Sequence, residues 1–348
     1  MPDPAPRGPH ADDHPSADAA SLLDDAASAR AAGDVVGMRT ALTAALRAAE
    51  RDGDAERMAE AALQLPLGQQ FGLHPGEVPA LLHGTLEAAG PLPDATRARL
   101  GAALARAWVY GGDPVRAARF ADDATALAEA TDDPVVRADV LDAALLVHWG
   151  PDDLPERVRL AARLDDAAAH VTDPEVRLSA HLWRLTTAWE CLDVVAVQRQ
   201  LRGLDLLAVE SGSTRAGFFA ASRRAMHALV LGDLEAADEL ITRTRELGAA
   251  LAEPDVAAVL HSLDADRASQ AGDTDALLRE AAEFQSFGQA EGVPSVVGEA
   301  AVLWLRSGEA GRAADLALHL SGPGPAALPP HVHFPPAATP GVEVAAPA

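Results

Sequence analysis

Four residues spaced forty apart form the first chemical set in the chain: Arg184, Arg224, Asp264 and Trp304. His181, Ala221, His261 and Ala301 lie three residues earlier, one helical turn away on the same face. A pair of guanidinium groups flanked by imidazole suits a carboxylate, a phosphate or an acidic peptide, because the planar forks present several donors to one anion. The candidate ligand-binding residues are therefore His181, Arg184, Arg224, His261 and Asp264, with Trp183 and Trp189 as an aromatic wall. The plainer alternative is structural. Arg224 and Asp264 would then pair across neighbouring repeats, Arg184 would be solvated, and the tryptophans, including Trp149 forty residues before Trp189, would pack between helices.

Other chemistry is sparse. The acid pairs Asp122-Asp123, Asp132-Asp133, Asp152-Asp153 and Asp165-Asp166 fall at helix starts or on solvated faces, where carboxylates favour the positive end of the helix dipole. Cys191 sits between Glu190 and Asp193, charges that raise a thiol's pKa and leave it inert in the core or at its rim. His331 and His333 have metal-ligand spacing but no third ligand nearby, so neither a metal nor a cofactor is expected. An enzyme would need His181, Arg184, Glu190, Arg224 and His227 to converge on a closed cavity. The balance favours a non-catalytic module.

Composition narrows the partners. All 28 basic residues are arginine against 52 acids, a formal net charge of −24. Such a surface repels phosphate backbones, which disfavours direct nucleic-acid or anionic-membrane binding. Without lysine there is neither a Schiff-base amine nor a phosphate-loop lysine. One cysteine permits no internal disulfide, no signal peptide is evident, and no apolar run is long enough to span a membrane, so the cytoplasm is expected.

What must position these residues is a helical repeat. An acidic residue, often after glycine, recurs about every forty residues, at Asp34, Glu77, Asp113, Asp152, Asp193, Asp233, Asp273 and Glu309. A second mark at the same period comprises Pro134, Pro174, Pro254 and Pro294, with Asp94 and Thr214 in phase. Glycine ends a helix in the left-handed conformation, aspartate caps the next, and proline is tolerated at a first helical position. Two start signals per period mean two helices per repeat. Apolar residues wrap most of Pro174–Trp189 but form one stripe on Leu234–Leu247, as expected for first helices buried on two sides and second helices exposed on one.

The units resemble tetratricopeptide repeats in a longer form that lacks the full consensus set. The runs Arg97–Trp108 followed by Gly112-Asp113, Trp149–Arg157, His181–Leu185 and Arg223–Ala237 are similar to the repeat region of large actinobacterial ATPase-type regulators with LuxR-type DNA-binding domains. That resemblance implies signal sensing or docking. The phosphate loop of such regulators needs a lysine, which this sequence lacks, and no basic helix-turn-helix is found, so only the repeat part is matched. The expected fold is all-α, a tetratricopeptide-like α-solenoid of about eight hairpins over residues 17–320. Residues 1–16 and the Pro/Ala-rich 321–348 are expected to be disordered tails. The expected role is a binding or scaffold protein, regulatory in kind, whose concave groove takes a protein or peptide partner or a small effector. The alternatives are an enzyme of specialised metabolism and a split partner of an ATPase-type regulator.

Overall fold

The computed structural model describes residues 18–32, 34–65, 77–150, 152–251, 255–291 and 294–321. Among these the regular structure is all-helical, sixteen helices in sequence. The first eight are α1 (Ala19–Ala32), α2 (Val35–Asp52), α3 (Ala55–Gln64), α4 (Glu77–Ala88), α5 (Asp94–Tyr110), α6 (Pro114–Glu129), α7 (Pro134–Val147) and α8 (Leu154–Ala168). The others are α9 (Pro174–Glu190), α10 (Val194–Ser211), α11 (Thr214–Val230), α12 (Leu234–Gly248), α13 (Asp255–Ala271), α14 (Thr274–Glu291), α15 (Pro294–Arg306) and α16 (Ala310–Ser321).

The expected punctuation produces these starts. Asp34, Asp113, Asp193, Asp233 and Asp273 each accept from a backbone N–H two or three residues into the next helix, at 2.8–3.1 Å. Asp133 and Asp173 do the same just before Pro134 and Pro174. Each cap of this kind is worth about 1 kcal/mol. Gly112, Gly232 and Gly272 take left-handed φ values of 74°, 75° and 66° at equivalent turns, whereas Leu192 must adopt φ 55° in the same place. Without glycine's freedom, that turn holds about 1 kcal/mol of strain. Gly33, Pro151, Pro254 and the Pro66–Gly76 stretch lie outside the described residues, as do 1–17 and 322–348. Ser321, assigned from sequence to the tail, is the last residue of α16.

Packing divides the helices into two rows. The odd-numbered helices touch in unbroken succession from α1 to α15. The even-numbered ones are wedged between them and, among the described residues, make at most grazing contact with one another. Burial follows the rows. Helices α5 and α11 bury residues around most of their circumference, whereas α6 and α12 bury a single stripe. Small residues set the spacing, since a Cβ at Gly101 would lie 3.1 Å from that of Ala124 across α5 and α6. Leu100, Leu104, Leu145, Leu178, Leu185, Leu201 and Leu204 are fully enclosed. Truncating any one to alanine removes about 2–5 kcal/mol.

Candidate functional site

The forty-residue stripe exists, and it bridges helix pairs. Arg224 on α11 reaches back to Asp205 on α10, with its Nε 2.9 Å from the carboxylate. Asp264 on α13 accepts from Arg245 on α12 at 2.8 Å, and Trp304 on α15 donates to Gln285 on α14 at 2.8 Å. Arg184 on α9 faces Asp165 on α8 at 3.8 Å, a charge contact too long for a hydrogen bond, so its buried Nε finds no hydrogen-bond partner among the described residues. All four rungs join residue i to i−19. The histidines point the other way along the chain. His181 meets Gln200, and His261 meets Glu280, both at 2.8 Å on the following even helix. The expected shared anion site is therefore replaced by separate pairs, and Arg224 and Asp264 have found partners other than each other. First helices are buried on two sides, and this stripe faces the even row.

The residues of the enzyme alternative are likewise engaged separately. Glu190 accepts two bonds from Arg157, at 2.9 and 3.1 Å. The buried Arg157 also donates to the carbonyls of His148 and Gly150, locking the turn after α7. His227 contacts Gln198 at 2.7 Å while its Nδ1 is buried without a partner. Burial first, and then the Arg224 charge, lower the His227 pKa and keep the ring neutral. Trp183 packs edge-on to Trp149 at 5.0 Å and donates to Asp142 at 2.9 Å. Trp189 packs, half-buried, against the core between α9 and α11. Cys191, expected in the core or at its rim, is exposed at the end of α9. His331 and His333 lie outside the described residues, and no group of three His, Cys, Asp or Glu among those described could hold a metal.

A different face carries the uncommitted charge. The odd helices repeat in steps of forty, so Arg99, Asp139, Ser179, Phe219, Val259 and Glu299 form one row along them. Arg106, Leu146, Thr186, Met226, Asp266 and Arg306 form a second, two turns further on. Contacts run along and between these rows. Arg99 bonds Asp139 at 3.2 Å, and Arg106 bonds Asp139 at 2.5 Å and Asp142 at 3.4 Å. Ser179 also donates to Asp142. At the other end, Asp266 on α13 and Glu299 on α15 occupy the offset that holds Arg106 and Asp139. Burial, and then the Asp266 charge, push Glu299 up to about 7. Asp266 is also raised by burial, partly countered by Arg306.

In the middle lies Arg223 on α11. Its guanidinium donates to Ser222 Oγ at 3.4 Å and sits 5.3 Å from the Phe219 ring centre. It pairs with no carboxylate among the described residues, and burial alone pushes its pKa down to about 10. The sequence signal that could have found it is its register, which it shares with Ala103, Ala143, Leu263 and Leu303, all buried. On this face Asp266 is exposed and Arg223 half-buried.

A separate cleft of about 330 Å³ opens between α6, α7 and α8, with Arg137, Arg163, Glu129, Asp166 and His170 at its edge. Arg163 and Glu129 stand 3.6 Å apart there, so its charges are partly matched. Compared with known proteins, the chain matches neither a protein-family model nor a curated protein.

Proposed function

We propose that the chain is a non-catalytic binding module, a tetratricopeptide-like α-solenoid of eight hairpins whose odd-numbered helices line a concave groove for a segment of a partner protein. The observation that carries this reading is the contact pattern: a row of helices in unbroken contact, beside a second row held apart, curves toward the first. On that row Arg223 is half-buried and meets no carboxylate among the described residues. The separate engagement of His181, Glu190, Arg224 and His227 counts against a catalytic centre built from them. We further propose a regulatory docking role, in keeping with the resemblance to the repeat region of ATPase-type regulators.

In this reading His181, Arg184, Arg224, His261 and Asp264 hold successive hairpins in register, and ligand contact falls to the groove rows. No described helix is long and apolar enough to cross a membrane. The test is selection of random dodecapeptides displayed on phage against the immobilised chain, followed by hydroxyl-radical footprinting. Enriched peptides should shield Met226 and Trp183 from oxidation and leave the exposed Leu206 and Val209 of α10 unchanged. Failure to enrich any peptide, or shielding confined to the even helices, would refute the groove.

A further inference from the structure

We propose that Arg223 is the anchor of this groove, and that it binds an acidic side chain lying next to an apolar one in an extended segment of a partner protein. The inference rests on the groove reading and adds the chemistry of its occupant.

Three observations lead there. First, position matters. Four of the six odd helices from α5 to α15 place a buried alanine or leucine where α11 carries Arg223. A fifth places Trp183, whose indole N–H is satisfied by Asp142. A guanidinium is therefore an expensive choice at a position that the architecture fills with apolar atoms elsewhere.

Second, the charge is left over. The chain has nearly twice as many acids as arginines, and nineteen residues back from neighbouring Arg224 stands its own aspartate. Arg106 and Arg157, the other deeply set arginines, each hold a carboxylate. Among the described residues Arg223 has a serine hydroxyl at 3.4 Å and the Phe219 ring beside it, and no carboxylate. A half-buried cation with no counter-ion among the described residues costs stability, and an incoming carboxylate would offset that through two parallel N–H···O bonds.

Third, the surroundings select what accompanies the carboxylate. Phe219 is buried beneath the guanidinium. Half-buried Met226, one turn beyond Arg223, and half-buried Val259 on α13 stand in the rows of the groove and offer apolar surface to a leucine or aromatic neighbour of the acid. The rows continue past Arg223 from α5 to α15, which suits an extended chain better than a small molecule. The matched cluster at Arg106 and Asp139 on one side offers such a segment no free charge.

The experiment carries the peptides enriched on the wild-type chain forward to Arg223→Leu and Arg223→Gln. Peptides holding Asp or Glu beside Leu, Phe or Trp should predominate. Their affinity should fall at least tenfold on either variant, and on replacement of the acid by its amide. Arg223→Leu should also melt higher than wild type, since it restores the residue type found at Leu263 and Leu303. Should that variant misfold, Arg223→Gln supplies the binding result. Enriched peptides without an acid, or peptides that bind both variants as well as wild type, would overturn the assignment and leave the groove standing. Enrichment of nothing would remove the groove itself.

Discussion

The same seam between odd helices is built in opposite ways at its two ends. Between α5 and α7, Arg106 meets Asp139, with Asp142 and Arg99 completing a neutral network. Between α13 and α15, the equivalent offset brings Asp266 to Glu299, two acids whose carboxyls are both raised by burial. Backbone register is common to both, so the seam does not depend on attraction between these side chains. Apolar packing carries it, through Ala98, Ala102, Val136, Val140 and Ala143 at one end and Ala265, Ala268, Ala300 and Ala301 at the other. The polar residues above that packing are free to be matched or mismatched, and the mismatch marks where the molecule has something to offer.

The largest blow to this contrast would come from Arg106→Ala. It strands Asp139 and Asp142 in a partly buried seam, and urea unfolding should show a loss of about 2–4 kcal/mol. A loss no greater than that of an exposed pair would mean that the network is ornamental and the two ends are alike. Next in size is Glu299→Gln. The folded-state pKa of Glu299 is raised to about 7 from 4.5, so the folded state binds the extra proton between those values. Stability from this group is present below pH 4.5 and is lost as pH rises through 7. Glu299→Gln should therefore gain on the order of 1 kcal/mol above pH 7 and nothing below pH 4.5. Asp266→Arg should give a gain of the same sign by recreating the arrangement at α5–α7. A flat difference across pH would show that neither burial nor the Asp266 charge raises the Glu299 carboxyl. The smallest effect belongs to Arg306→Gln, which removes the exposed cation that partly relieves Asp266. It should lower stability above pH 7 by about 0.5 kcal/mol or less, and the loss should shrink with salt.

Much of the helix plan was legible in the sequence because caps are local. Asp113, Asp133, Asp173, Asp193 and Asp233 act on N–H groups two or three residues away, so a short string suffices to locate each helix start. Orientation about the helix axis was harder to read. A helix such as α9, with Leu178, Ala180, Trp183 and Ala188 distributed around it, has no single apolar face to say which polar residue looks inward. The stripe at Arg184, Arg224, Asp264 and Trp304 was visible, but its direction depended on the even helices, nineteen residues away. Arg223 and Arg224 are adjacent and chemically identical. Only the packing of α10 reveals that one meets Asp205 and the other does not.

The constant nineteen-residue reach of the rungs also makes the chain modular in a measurable way. Rungs at Arg184, Arg224, Asp264 and Trp304 all connect to the helix just before, and the odd helices recur every forty residues. Excising one whole period, such as residues 174–213, would bring α11 against α8 with its hook in phase. Arg224 would then face Asp165 as it had faced Asp205, whereas a cut one residue shorter would turn every downstream contact by about a hundred degrees around the helix axis.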